Sequence, residues 1–206
     1  VRQAANLVGL DSQGRPRKAL LLDQTNMSSG SSLSPYDQET HYAALWWTSV
    51  AINASADGWL DMLNWFMAAD EPEYPKGMVR VLDDQHFELK PVGLAQQFIQ
   101  QHWLDQVLRL DNDAFEVDAL AMATGKQRSL LGVNKSTRAH RVSLDGTICP
   151  QPGMTLVYFG PDNRSQSAPL DCKAGQVGFL LPGETVFALS WTASLSPQPA
   201  ARQEAP

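Results

Sequence analysis

Lys18-Ala-Leu-Leu-Leu-Asp-Gln-Thr-Asn26 is the stretch that decides the fold, because its four consecutive apolar residues end abruptly in polar ones. An apolar run without polar alternation is typical of a parallel strand covered on both faces, since water then touches neither side. In α/β architectures, ligands and catalytic groups collect at the carboxyl ends of such strands. Asp23, Gln24 and Asn26 are therefore the first candidate site residues. The alternative is a strand end capped by solvated polar residues, since loops are polar whether or not they carry function.

The composition limits the classes of function. A chain of 206 residues with 43% apolar residues can bury a substantial core. Its formal net charge of −6 and pI near 5.1 argue against a nucleic-acid partner or an anionic membrane surface, since both require a basic footprint. We find no window of about 18 apolar residues, so no membrane insertion is expected.

Cysteine and histidine patterns give no indication of a metal or cofactor. Cys149 and Cys172 permit either one disulfide or two free thiols, so they leave the redox compartment open. The four histidines show no ligand spacing to the cysteines or to one another. We therefore predict that the protein has neither a metal site nor a bound cofactor.

Residues 1–104 alternate helical and strand patterns. After the end of a helix at residues 1–10 and the strand at 19–23, the spacing predicts a helix over Glu39–Ala56, a second strand over Trp59–Met67, a hairpin over Gly77–Leu89 and a helix from Pro91. Strand, helix, strand is a βαβ unit with parallel strands. Because two parallel strands cannot bury both faces of a sheet, we expect these units to be the last part of a larger sheet whose earlier strands precede residue 1.

Residues 105–193 contain short strands separated by turn residues. The predicted strands are Gln106–Leu110, Phe115–Ala123, Ser129–Asn134, His140–Leu144, Thr155–Phe159, Val177–Leu181 and Thr185–Trp191. Seven short strands with turn signals between them favour an antiparallel β-sandwich. Residues 194–206 are polar and proline-rich, which predicts a flexible tail.

Several motifs, in this order and spacing, resemble the C-terminal part of (β/α)8-barrel glycoside hydrolases with a trailing β-sandwich, such as β-xylosidases, α-L-iduronidases and α-L-arabinofuranosidases. The matching stretches are His41-Tyr-Ala-Ala-Leu-Trp-Trp47, Leu60-Asp-Met-Leu-Asn-Trp-Phe66, Lys90-Pro-Val-Gly-Leu-Ala95, Leu130-Leu-Gly-Val-Asn-Lys-Ser136 and Leu181-Pro-Gly-Glu-Thr-Val-Phe187. The resemblance implies a fold class of α/β followed by all-β, in which the chain is a C-terminal barrel fragment plus a sandwich.

The resemblance also implies where chemistry would lie. In these enzymes the seventh strand ends in a Thr-Glu-x-Asn-like run whose Glu is the nucleophile, and the acid/base Glu ends the fourth strand, which this chain lacks. Aligned on Asn26, the nucleophile position holds Gln24, a neutral amide that is a poor nucleophile. A retaining mechanism requires two carboxyl groups about 5 to 5.5 Å apart. Asp23 is the alternative nucleophile, but neighbouring strand residues point to opposite faces, so only one of the pair faces the barrel mouth unless the strand end kinks.

Two interpretations remain open for Trp65 at the end of the second strand. It is either the aromatic floor on which a sugar ring stacks, as the resemblance implies, or a tryptophan of the core. Glu39 and the pair Asp70 and Glu71 are interpreted as solvated loop charges.

The resemblance implies a carbohydrate partner and an extracytoplasmic location. Two hypotheses follow: a glycosidase whose remaining catalytic residues lie outside this chain, or a degenerate barrel that binds glycan without cleaving it. Because a partial barrel exposes surface that further strands would cover, we also expect an apolar patch around the strand at residues 19–23 and a tendency to associate.

Overall fold

The computed structural model describes residues 1–27, 38–71, 74–149, 151, 153–173 and 176–193. Its helices are α1 (Arg2–Val8), α2 (His41–Ser55) and α3 (Pro91–His102). The strands of the first half are β1 (Leu21–Thr25), β2 (Met62–Trp65), β3 (Val79–Val81) and β4 (Phe87–Leu89). The predicted tail at 194–206 lies outside the described residues.

The predicted parallel strand pair is confirmed. β1 and β2 pair in parallel, with Leu21 opposite Met62, and α2 lies between them in the chain. The Asp61 carboxylate also accepts a hydrogen bond from the Leu20 backbone N–H (2.8 Å), which ties the beginnings of the two strands together. β2 is shorter than the predicted Trp59–Met67, because its ladder extends only where β1 lies opposite.

One expectation about β1 is wrong for this chain: the strand is not buried on both faces. Leu20 is buried, but Leu21 is 58% exposed and Leu22 37% exposed. A two-stranded parallel sheet has too few neighbours to cover these side chains. Apolar side chains are therefore exposed around this strand, while a contiguous apolar patch and a tendency to associate stay predictions.

The predicted hairpin over Gly77–Leu89 and the predicted helix from Pro91 are both confirmed. β3 and β4 pair antiparallel around Asp83 and Asp84, and α3 begins at Pro91, whose missing N–H costs nothing in the first turn of a helix. No helix among the described residues is long and apolar enough to cross a membrane.

The second half is entirely antiparallel. Its strands are β5 (Gln106–Leu108), β6 (Val117–Thr124), β7 (Gln127–Asn134), β8 (His140–Ile148), β9 (Thr155–Phe159), β10 (Ser165–Ala168), β11 (Asp171–Lys173), β12 (Gln176–Leu181) and β13 (Thr185–Thr192). One sheet has the order β10-β9-β13-β7-β6-β5 and the other β11-β12-β8. All seven predicted strands are present, and the all-β part of the expected fold class is confirmed. β10 and β11 are not predicted from the sequence, because they are short, polar edge strands without an apolar pattern.

Two apolar clusters hold these layers together. The first lies between the helices and the six-stranded sheet, and includes Trp47, Phe98 and Leu131. The second lies between the two sheets around Phe179 and Phe187. The first cluster crosses the predicted domain boundary at residue 104, because α2 and α3 pack directly on the sandwich. His41 reinforces this junction, with its Nε2 2.7 Å from the Glu184 carbonyl oxygen.

Cys149 and Cys172 form a disulfide, which resolves the alternative left open by the sequence. Their Cα atoms are 5.5 Å apart, and the bond joins the end of β8 to β11 across 23 residues of sequence.

Candidate functional site

The carboxyl end of β1 carries a β-bulge at two of the predicted site residues. Leu22 lies opposite Leu63 and Thr25 lies opposite Trp65, so Asp23 and Gln24 together face the single residue Asn64. A bulge breaks the strict alternation of side chains and re-aims them. Both Asp23 and Gln24 are exposed, as are Leu21 and Leu22 before them, and the bulge interrupts the alternation of their side chains.

Asn26 is anchored rather than solvated. Gln38, only 2% exposed, donates a hydrogen bond from its Nε2 to the Asn26 Oδ1. The Asn26 Nδ2 in turn donates to the Phe66 carbonyl and lies 3.4 Å from the Lys76 carbonyl oxygen. The end of β1 is thus joined to the chain that follows β2, as expected for the carboxyl ends of adjacent parallel strands.

Trp65 lies in the core. It is 8% exposed, its Nε1 donates to the Lys76 carbonyl (2.8 Å), and its ring is edge-on to those of Trp46 and Trp47 at centroid distances of 6.0 and 5.5 Å. This burial favours the packing interpretation of Trp65 over the sugar-stacking one.

An aromatic pair that the sequence analysis did not single out is present at the same edge. Phe66 follows Trp65 directly and is 36% exposed, and its ring is 6.2 Å from that of Tyr74 in a T-shaped arrangement. Lys76 is buried with its Nζ 4.7 Å from the centre of the Tyr74 ring. The available signal was that Phe66 is the last aromatic residue of the apolar run at residues 59–67, but sequence alone does not show which ring of that run faces outward.

The interpretation of Glu39 and Asp70 as solvated charges is wrong. The fully buried Lys90 places its Nζ 2.6 Å from the Glu39 Oε1 and 2.7 Å from the Asp70 Oδ1. Burial by itself would raise the pKa of Glu39, but hydrogen bonds from Lys90 and Arg80 outweigh it and hold that pKa below its ordinary value. Glu71 is exposed, as expected.

The geometry of the ion cluster formed by Glu39, Asp70 and Lys90 indicates a structural role. The cluster joins the segment before α2 to the segment after β2 and to the beginning of α3. Lys90 thus pairs with both carboxylates, whereas Asp23 at the β1 end is exposed. In the part of the chain that the structure describes, no group of three His, Cys, Asp or Glu residues could hold a metal ion.

Three solved structures illustrate what this fold is similar to. The catalytic domain of a glycoside hydrolase family 30 xylanase C from Talaromyces cellulolyticus superposes with a TM-score of 0.65 and 15% identity, over 87% of this chain and 42% of that one. A conserved exported protein from Bacteroides fragilis superposes with a TM-score of 0.63 and 8% identity, over 85% of this chain and 39% of that one. A family 51 α-L-arabinofuranosidase from Bifidobacterium longum superposes with a TM-score of 0.53 and 11% identity, over 73% of this chain and 34% of that one.

These comparisons confirm the resemblance at the level of the fold. The chain spans less than half the length of each of these three structures, as a C-terminal part of such a protein would. No protein-family model and no curated protein sequence matches the chain.

Proposed function

We propose that this chain is part of a glycosidase-like protein that binds polysaccharide or oligosaccharide at the carboxyl ends of β1 and β2. The observation that carries this proposal is the carboxyl end of β1, where Asp23 and Gln24 are exposed at a bulge and Asn26 is fixed to the Phe66 carbonyl. Hydrogen-bonding groups beside the exposed Phe66 ring suit a sugar, which has hydroxyl edges and apolar faces. The likeness of the fold to glycoside hydrolases supports the same function.

The first form of this function is binding without hydrolysis. On the resemblance, Gln24 occupies the nucleophile position, and its neutral amide cannot form the glycosyl-enzyme ester of a retaining mechanism. The acid/base carboxylate also belongs to a strand that this chain does not contain. The neutral amide of Gln24 at that position favours a glycan-binding barrel whose chemistry has been lost.

The second form is a glycosidase that uses Asp23 as its nucleophile. The bulge favours it, because the alternation that would turn Asp23 away from the barrel mouth is interrupted at that residue. Asp23 then attacks the anomeric carbon, and the leaving oxygen takes its proton from a group outside this chain.

Turnover of dinitrophenyl glycosides separates the two forms. The leaving group of these substrates departs as a stable anion, so a missing general acid does not hide a working nucleophile. We expect no turnover by the wild type or by Asp23→Asn, whereas Gln24→Glu should release dinitrophenol in a single burst. Wild-type turnover that is lost in Asp23→Asn would assign the chemistry to Asp23. Wild-type turnover unaffected by either change would remove this strand end from the mechanism.

An extracytoplasmic location is part of the proposal. The Cys149–Cys172 disulfide supports it, because such bonds persist in oxidising compartments. A protein described as exported is also among the structures with a similar fold.

A further inference from the structure

A second cleft lies between the carboxyl end of α3 and the sandwich. It has a volume of about 280 Å³, just below the range of roughly 300 to 1,000 Å³ typical of small-molecule sites. Besides Arg128, six polar side chains contribute to its wall: Gln101, His102, Gln127, Ser129, Ser190 and Thr192. The proposed function does not involve any of them.

The pairing of β7 and β13 places four of these side chains together. Ser129 lies opposite Ser190, and Gln127 lies opposite Thr192 two residues along the same ladder. Directly opposite residues share a face, as do residues two apart, so all four point the same way. Leu131, two residues beyond Ser129, packs in the cluster beneath the helices. The four side chains therefore continue the helix-facing surface past the end of α3.

The floor of the cleft contains a hydroxyl group that lacks a partner. Ser129 is 2% exposed, and its Oγ makes no hydrogen bond among the described residues. Leaving a buried polar group unsatisfied costs stability, so native proteins rarely do it without a reason. The oxygen lies just beneath the cleft surface, so a ligand hydroxyl would satisfy it after a small shift of the wall around Ser129.

The charges around the cleft narrow the class of ligand. Among the described residues no carboxylate lines it, which disfavours a cation. Its cation, Arg128, already donates from Nη1 to the carbonyl oxygens of Gly125 and Gln127, both at 2.8 Å. Burial lowers the pKa of His102, which keeps the imidazole neutral near pH 7. The wall therefore offers neutral hydroxyl, amide and imidazole groups, which match the hydroxyls of an uncharged sugar better than an anion or an apolar molecule.

From the unpartnered Ser129 hydroxyl and the neutral polar wall around it, we propose that this cleft is a second glycan-binding site that takes one uncharged sugar ring. Its ligand hydroxyls would bond to Ser129, Ser190 and Gln127. The site is distinct from the β1 end: α3 has 12 residues, so about 18 Å of helix separates the Lys90 end from His102. The proposal stands on its own, whether or not the strand ends bind glycan.

Nuclear magnetic resonance titration of the ¹⁵N-labelled chain with xylobiose and with cellobiose tests the site. We expect the amide signals of residues 127–129 and 190–192 to shift with a Kd on the order of 1 mM. The side-chain amide signals of Gln101 and Gln127 should shift with them. Sodium sulfate, used as the anionic probe, should leave these signals in place.

Three variants distinguish an effect on sugar affinity from an effect on folding stability. Ser129→Ala should weaken sugar binding about tenfold, since it removes one buried hydrogen bond, without lowering the melting temperature, because the hydroxyl it removes has no protein partner. Gln127→Ala, at an exposed position, should weaken binding as well. Ser165→Ala, an exposed serine on β10, is the matched control and should bind like the wild type.

Four outcomes would overturn the proposal. These are an absence of shifts with either sugar, a response to sulfate alone, sugar affinity unchanged by Ser129→Ala, and sugar shifts confined to residues 23–26 and Phe66. The last of these would support the proposed function at the strand ends while it excludes the second site.

Discussion

Gln38 donates a hydrogen bond to the side-chain oxygen of Asn26, and the Asn26 side-chain nitrogen donates one to the Phe66 carbonyl. Through these two side chains the segment before α2 fixes the ends of both parallel strands. The geometry of the candidate site therefore depends on a residue that neither strand contains.

Replacing Gln38 with leucine should destabilise the fold by about 1 to 3 kcal/mol, because the partly buried Asn26 amide loses the donor that satisfies its oxygen. Urea unfolding measures the change. Gln24→Leu is the matched control: Gln24 is exposed, so this variant should stay within about 0.5 kcal/mol of the wild type. Equal effects of the two changes would contradict the anchoring role of Gln38.

Lys90→Met should destabilise the protein by about 3 to 5 kcal/mol, since it leaves Glu39 and Asp70 largely buried without their common cation. The control is Arg109→Met, which breaks an exposed pair with Asp111 and should cost no more than about 1 kcal/mol. Adding Glu39→Gln and Asp70→Asn to Lys90→Met should restore part of the loss, because the uncompensated charges are then removed. A triple variant no more stable than Lys90→Met would contradict the electrostatic explanation.

Stability should fall as the pH drops below about 6.5, the ordinary pKa of histidine. Burial lowers the pKa of His41, and its Nδ1 is buried without a partner among the described residues, so the folded protein favours the neutral ring. A histidine with a depressed folded pKa contributes fully above its unfolded pKa and progressively less as the pH falls through its folded pKa. Melting temperatures between about pH 8 and about pH 5 measure this dependence.

His41→Gln should flatten that pH dependence, because glutamine does not titrate. Burial also lowers the pKa of His102, so His102→Gln should flatten it separately and the double variant should be flatter than either. An unchanged slope in the double variant would show that other groups control stability in this range.

Gly132→Ala should cost about 1 to 3 kcal/mol through overpacking in the sheet. A Cβ at residue 132 would lie 2.3 Å from a carbon of the Phe187 ring and 2.8 Å from the Asp118 carbonyl oxygen. Gly160→Ala is the control, since its Cβ would meet no atom closer than 3.7 Å. Thermal unfolding of both variants is the measurement, and a wild-type melting temperature for Gly132→Ala would show that the Phe187 ring moves aside freely.

The sequence by itself determined the order and type of most elements. The apolar run at residues 19–22, the three- and four-residue spacing of apolar residues in α2, Pro91 at the start of α3 and the turn residues between the sandwich strands were sufficient. These signals are local, because helix and strand periodicities and turn conformations depend on residues only a few positions apart. β10 and β11 were not predicted because polar edge strands are held by backbone pairing, which does not require a particular side-chain pattern.

Only the tertiary structure decided the features of the candidate sites. The bulge at Asp23 and Gln24 depends on register with β2, about 40 residues away in the chain, and the burial of Glu39 depends on Lys90, still further along. Trp65 is covered by helix α2, whereas Leu21 is exposed because this chain brings too little surface against it. Register, burial and charge pairing are properties of residues that meet only in the folded chain, so no local sequence pattern could contain them.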